Sequence, residues 1–236
     1  MRLEECQHKA LLGFAAFTTL YAVAEPILRP IRRDCEPADF DPVKELLHAI
    51  TLGRSTTTFV RNQLASQPWL DSMVVSKFST VRNELVDNLE LRFPQLALIR
   101  DLVERHCKNE QKHACLQAIT TLFNDIAFLV DNAGDPQQMK VIWGWGNEVD
   151  AVFLAMCSKR NAVALVILAH YAVLISLNTG LWHLRGWPAA LLRHIETLLM
   201  GEWDEGLDWP RQVISGAATS WTSASPSITV PTTAEC

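Results

Sequence analysis

The sequence has little that would build a β-sheet. Its 236 residues include only 10 glycines, few segments alternate apolar and polar residues, and no Asn-Gly or Asp-Gly pair joins two apolar runs. Half-buried strands need that alternation, and tight hairpins need turn residues of that kind. The shortage argues against strands and leaves helices as the main element.

An excess of positive charge is also missing. The chain carries 21 lysines and arginines against 26 aspartates and glutamates, a net charge of −5. Proteins that bind nucleic acid cluster cations against the phosphate backbone. We therefore expect no direct contact between this chain and nucleic acid.

Metal and cofactor signatures are absent from the sequence. The six cysteines are widely spread, with no C-x-x-C pair and no Cys/His spacing typical of zinc sites. No phosphate-binding loop, dinucleotide fingerprint, G-x-S-x-G or H-E-x-x-H motif occurs. The sequence thus predicts no metal and no cofactor, and reduced cysteines in an intracellular protein, cytoplasmic or nuclear.

No apolar run is long enough to predict a membrane span. The longest, residues 162–177, has 16 residues with His170 in the middle, whereas a spanning helix needs about 20. A helix that is apolar all round is then expected in a protein core. Near the N-terminus "ALLGFAAFTTLYAVA" imitates a signal peptide, but Glu4 and Glu5 stand where positive charge is required. We interpret residues 5–24 as a buried first helix that ends before Pro26.

What the sequence does contain is a series of helix signals. They predict an all-α fold with a single multi-helix domain over residues 1–212 and a disordered Ser/Thr-rich tail over residues 213–236. The individual predictions are a helix opened by Asp41 and Pro42, a second short helix over 54–65, a loop over 66–75 anchored by Trp69, a helix from Pro94 to Cys107, a helix with the apolar stripe Leu116, Ile119, Phe123, Ile126 and Val130, a helix capped by Asn161, and a last helix that ends at Gly201.

Tryptophans are the first group of candidate site residues. Six of the eight fall within residues 143–209. Large flat rings make good walls for rigid apolar ligands, and they fill gaps between helices equally well. The candidate ligand-binding tryptophans are Trp143, Trp145, Trp182 and Trp187.

His170 and Tyr171 are the second group, because a buried polar group must find a hydrogen-bond partner. Either they are core residues, with the histidine bonded to a backbone carbonyl on a neighbouring helix, or they face a cavity and meet the hydroxyl or carbonyl of a ligand. His183 and Arg185 are interpreted as surface or rim residues, with Arg185 able to stack on the neighbouring tryptophans.

One long segment resembles a known family. "VIWGWGNEVDAVFLAMCSKRNAVALVILAHYAVLISLNTGLWHLRGWPAALLRHIETLL", followed by "WDEGLDWP", is similar to the C-terminal regulatory domain of fungal zinc-cluster (C6) transcription factors of the sterol uptake control type. The similarity is close over residues 140–211 and looser over 8–70. It implies an all-α ligand-binding domain with an apolar pocket, which accepts ergosterol in the sterol-responsive members.

The chain departs from that family in three ways. It contains no six-cysteine DNA-binding segment, and the similarity begins in the middle of the regulatory domain, so we expect an N-terminally shortened domain. His183 also replaces the second residue of the family's usual double tryptophan.

Three hypotheses about function follow. The first is a regulatory domain that binds an apolar, sterol- or terpenoid-like molecule and acts in transcription. The second is a free-standing enzyme of fungal secondary metabolism that uses the pocket for a cofactor-free cyclisation or cycloaddition, with His170, Tyr171 and Arg185 as candidate catalytic donors. The third is a dimerisation partner of a full-length factor. A homodimer of this chain is a further expectation about its partners.

Overall fold

The computed structural model describes residues 40–64, 89–132, 138–178 and 181–216, together with residues 10, 13, 14, 17, 18 and 20–26. Throughout these ranges every regular element is helical, which confirms the predicted all-α fold. The predicted loop at 66–75 with Trp69, and residues 217–236 of the predicted tail, lie outside the described residues.

Nine α-helices and one 3-10 turn carry the fold in the four long described ranges. They are α1 (Pro42–Leu64), α2 (Leu89–Arg92), α3 (Pro94–His106), α4 (Asn109–Asp131), α5 (Gln138–Glu148), α6 (Ala151–Ser158), α7 (Ala162–Ser176), the 3-10 turn (Trp182–Leu184), α8 (Trp187–Leu199) and α9 (Asp204–Ile214). Residues 20–26 add a further helical segment, called here the N-terminal segment.

Side-chain caps fix the beginnings of two helices where the sequence predicts them. The Asp41 carboxylate accepts the Lys44 N–H at 3.0 Å, and the Asn161 side chain accepts the Ala164 N–H at 3.2 Å. Each bond satisfies one backbone donor that the first helical turn leaves free. The starts of α1 and α7 are therefore encoded locally.

α1 differs from its prediction because it is one uninterrupted helix of 23 residues rather than two short ones. Gly53 has the lowest helix propensity of the residues near the expected break, and a glycine costs a helix interior only about 1 kcal/mol. Contacts with α5, α6 and α8 along its length outweigh that cost.

α7 is the central helix, as predicted. Every residue from Val163 to Ile175 is buried. α7 packs against α3, α4, α6, α8 and α9, so apolar residues cover its whole circumference. This explains why its sequence shows no polar face.

Among the described helices, α4 is the single one long and apolar enough to cross a membrane, and 61% of its most apolar window is buried inside the protein. α6 and α7 pass the same criterion when joined, but they are bent by 103° relative to each other. The core helix of a folded domain meets this criterion as well.

The described residues between 14 and 26 correct the prediction of a buried first helix. Val23 and Ala24 belong to the core, but Phe14, Phe17 and Tyr21 are exposed by 71%, 69% and 67%. The helix also continues through Pro26 instead of ending before it. The apolar composition of this stretch therefore overestimates how much of it is buried. The three aromatic residues recur at helical spacing, so they lie on one face of the helix, and that face is exposed to solvent.

An ionic junction ties three helices together at the start of α1. Asp41 pairs through Oδ2 with the Arg160 guanidinium, which lies between α6 and α7. Its Oδ1 lies 3.3 Å from Nε2 of His194 on α8. The N-cap of α1 is thus also the meeting point of α1, α7 and α8.

Candidate functional site

A cavity of about 370 Å³ lies between α1, α5 and the 3-10 turn, with the N-terminal helical residues at one side. Its volume is near the lower end of the roughly 300–1,000 Å³ range of small-molecule pockets. Most of its lining is apolar. The lining residues are Gly13, Phe17, Leu20, Ala49, Ile50, Gly53, Thr57, Trp143, Gly146, Asn147 and His183.

Small residues on α1 make room for this cavity. Ala49, Gly53 and Thr57 are spaced four apart, so they lie one above another on one face of the helix. Opposite them, α5 approaches closely at Gly146, where a Cβ atom would stand 3.0 Å from Cγ1 of Ile50. The two helices thus meet at Gly146 and Ile50, and the small residues of α1 leave a hollow beside the contact.

Arg54 fixes α1 against the end of α5. Its Nη2 donates to the carbonyl oxygen of Asn147 at 3.1 Å and also to that of Val149. The last carbonyls of a helix have no partner within the helix, and a cation there is favourable to the helix dipole. Since α1 and α5 form two walls of the cavity, this interaction sets the distance between them.

His183 is the buried ionisable group of the cavity lining. It is only 5% exposed, and neither of its ring nitrogens has a hydrogen-bond partner among the described residues. Burial lowers the pKa of this imidazole, which favours its neutral form. The interpretation of His183 as a surface or rim residue is therefore wrong, because the 3-10 turn directs it inward.

The predicted tryptophans divide into three situations. Trp143 lines the cavity. Trp182 is 61% exposed and meets His183 edge to face, with ring centroids 5.4 Å apart. Trp145 and Trp187 are fully buried in the core and are not among the lining residues.

Each of the two buried tryptophans uses its indole N–H within the protein. Trp145 donates to the Ala118 carbonyl at 2.9 Å, and Trp187 donates to the Val23 carbonyl at 2.9 Å. Their one polar atom is therefore already satisfied. Their role as ligand contacts stays a prediction from the sequence.

His170 and Tyr171 are both bonded to backbone carbonyls, but His170 bonds within its own helix and not to a neighbouring helix as predicted. Nδ1 of His170 lies 2.9 Å from the Val166 carbonyl oxygen, and the Tyr171 hydroxyl donates to the Ile142 carbonyl at 3.0 Å. The imidazole stacks on Trp209 at a centroid distance of 5.4 Å. Burial lowers the pKa of His170 to about 4 and raises that of Tyr171.

Arg185 lies elsewhere, at a second hollow of about 330 Å³ beyond the C-terminal end of α7. Its side chain is exposed. Of the residues predicted as site residues, the structure therefore brings Trp143 to the cavity and Trp182 next to its histidine, and it separates Arg185 from them.

Sequence reasoning missed the cavity face of α1 and the importance of His183. The run Ala49, Gly53 and Thr57 is a visible signal, since small residues four apart on an otherwise bulky helix leave space against a neighbour.

Comparison with protein-family models, with curated proteins and with solved structures gave no match for this chain.

Proposed function

We propose that this chain is a small-molecule-binding domain that takes an apolar, sterol- or terpenoid-like ligand into the cavity between α1 and α5. The observation that carries the proposal is the cavity itself, about 370 Å³ of space lined mainly by apolar side chains. Such a lining would gain about 25 cal/mol for each Å² of apolar surface that it removes from water.

The role of this binding is proposed from the family resemblance. A ligand would act as a signal in transcriptional regulation inside the cell, in the cytoplasm or nucleus, and the chain would not touch DNA itself. Binding is favoured over catalysis because His170 and Tyr171 bond to backbone carbonyls and Arg185 lies at another hollow. The proposed donors of a cyclisation therefore do not surround the cavity.

A cavity-filling substitution tests the binding proposal. Gly53→Leu would place a side chain in the cavity, whereas Gly144→Leu on α5 would enter open space, with no atom within 4 Å of its Cβ. Thermal unfolding is measured with and without a tetracyclic sterol and a sesquiterpene alcohol. At 100 times the Kd, a ligand should stabilise the natural chain and Gly144→Leu by about 2.7 kcal/mol.

Gly53→Leu should remove that stabilisation and leave circular dichroism unchanged. If it responds to ligand as Gly144→Leu does, the ligand binds outside this cavity and the proposal fails.

The regulatory role needs a separate assay. The chain is fused to an unrelated DNA-binding domain and activation domain in a reporter strain, and reporter output is followed as ligand is added. The proposal expects output to change with the natural chain and to stay constant with Gly53→Leu. A constant reporter output with both the natural chain and Gly53→Leu would contradict the proposed regulatory role and would not affect the proposed ligand binding.

A further inference from the structure

The second hollow, of about 330 Å³, lies between the end of α7, the 3-10 turn, the start of α8 and the end of α9. We propose that it is a second ligand site, which binds a medium-chain carboxylic acid in its ionised form. Arg185 binds the carboxylate at the rim, and the apolar lining takes up the hydrocarbon chain. None of the residues that line the α1–α5 cavity lines this hollow, so the inference does not depend on the proposed function.

The apolar part of the lining fixes the length of the chain that can enter. A cavity of roughly 150 Å³ holds benzene, which has six carbons, so the second hollow has room for about eight to twelve carbons. Removal of such a chain from water supplies a favourable free energy for binding. The apolar lining residues are Ile175, Leu181, Leu184, Pro188, Ala189 and Ile214.

The charge of the second hollow selects a ligand with one negative charge. Arg185 is the one charged residue among the described residues that line it. Its guanidinium has no ion pair or hydrogen bond with any described residue. A guanidinium carries one positive charge, and its planar fork of N–H donors fits the two oxygens of a carboxylate.

Other arginines of the described chain lack this combination. Arg105 also lines a hollow, but its guanidinium pairs with Asp101 at 2.6 Å. Arg193 on α8 has no ion pair among the described residues, but it does not line the second hollow. Arg185 joins an unpaired cation to an apolar hollow, and an amphiphilic anion requires both.

The exposure of Arg185 suits the head of such a ligand. A carboxylate that is buried completely loses its hydration, which is costly. Because the Arg185 side chain is exposed, a carboxylate bound to it keeps part of its contact with water while the chain is buried. The hollow therefore separates the two ends of the ligand as an amphiphile requires.

The experiment uses three probes at pH 7, where a carboxylic acid is ionised: octanoate, the shorter butanoate and the uncharged octan-1-ol. Calorimetry below the micelle concentration gives their association constants for the natural chain and for variants. Arg185→Gln removes the cation of the second hollow, and Arg193→Gln removes another exposed cation on α8 as the matched control. Ala189→Leu enlarges a side chain that lines the second hollow, and Gly53→Leu fills the α1–α5 cavity.

We expect Arg185→Gln to weaken octanoate binding about tenfold, since a charge-assisted hydrogen bond at an exposed site is lost, and to leave octan-1-ol binding unchanged. Ala189→Leu should weaken the binding of both. Octanoate should bind more tightly than butanoate by about fourfold for each additional CH₂ group that is buried. Arg193→Gln and Gly53→Leu should bind octanoate as the natural chain does.

Three results would overturn the inference. One is the absence of saturable octanoate binding to the natural chain, and another is equal binding of octanoate by Arg185→Gln and the natural chain. The third is loss of octanoate binding in Gly53→Leu with retention in Arg185→Gln, which would place the probe in the α1–α5 cavity. The proposed function is tested with other ligands, so each of these results leaves it in place.

Discussion

Three buried aromatic side chains, Trp145, Trp187 and Tyr171, each donate one hydrogen bond to a main-chain carbonyl of another element. Trp145 joins α5 to α4, Tyr171 joins α7 to α5, and Trp187 joins α8 to the N-terminal segment. A carbonyl has two lone pairs, so a helical carbonyl can accept such a bond in addition to its own. At the scale of single residues, these bonds fix the relative position of the elements they join, because a hydrogen bond is directional and apolar packing is not.

Tyr171→Phe tests this role directly. Removal of the hydroxyl should lower the free energy of unfolding by about 0.5–1.5 kcal/mol, because one neutral hydrogen bond is lost and the ring stack on Trp145 remains. Urea unfolding followed by circular dichroism measures the change. Ligand binding in the α1–α5 cavity should be unaffected; a large loss of affinity with normal stability would instead place Tyr171 in the binding site.

His170 should make the protein sensitive to acid. Its pKa is about 4 in the folded chain and about 6.5 when unfolded, because burial disfavours the charged imidazole. Between these values the unfolded state binds more protons than the folded state, so stability falls as pH falls from about 6.5 to 4. The contribution lost over that interval is about 3 kcal/mol.

The measurement is urea unfolding at pH 7 and at pH 4.5 for the natural chain and for His170→Phe. The natural chain should lose about 2 kcal/mol more than the variant between the two values. Carboxylates and the other histidines titrate in both proteins, so the difference reports position 170. Equal losses would show that His170 is protonated in the folded state as readily as in the unfolded one.

At the scale of helices, α9 approaches α7 and α3 closely at Gly206. A Cβ atom there would stand 3.0 Å from Val166 Cγ1 and 3.2 Å from Leu102 Cδ1. Val166 is β-branched on a helix and has little freedom to turn away. The close approach of these helices therefore depends on the missing side chain.

Gly206→Ala should consequently destabilise the protein by about 1–3 kcal/mol, the usual range for overpacking. Gly144→Ala is the matched control, because its Cβ meets no atom within 4 Å, and its better helix propensity should stabilise by up to about 1 kcal/mol. Thermal unfolding of both variants gives the comparison. Two changes of the same sign would contradict the close packing at Gly206.

Helix beginnings were the elements that the sequence predicted best. Asp41, followed by Pro42, caps α1, and Asn161 caps α7. Each cap bonds to a backbone N–H three residues further on, so the local sequence is enough to predict where these helices begin. The cavity was not predictable in this way. It depends on the separation of α1 and α5, and the carbonyls that Arg54 holds lie more than 90 residues away along the chain.

The same limit applies to the site residues. His170 and His183 both lie among apolar neighbours in the sequence, yet the first is bonded within its own helix and the second borders a cavity. Apolar surroundings predict burial for both. Whether a buried imidazole has a partner is decided by the placement of neighbouring helices, which the sequence pattern does not contain.

For the whole molecule, the encirclement of α7 by five other helices predicts where unfolding is hardest. Exposing α7 to solvent requires the displacement of α3, α4, α6, α8 and α9. Amide protons exchange by local opening where packing is sparse and by global unfolding where it is dense. In deuterium exchange followed by mass spectrometry, peptides from residues 162–176 should exchange last, and faster exchange there than in α1 would contradict this.

Asp41 has a consequence for how relatives of this chain can vary. Serine, threonine or asparagine could start α1 equally well, since each caps a helix. None of them carries the charge that Arg160 meets there. Positions 41 and 160 should therefore change together during evolution. Aspartate should be kept at position 41 wherever position 160 is arginine, and another capping residue should replace it only where that arginine has been lost.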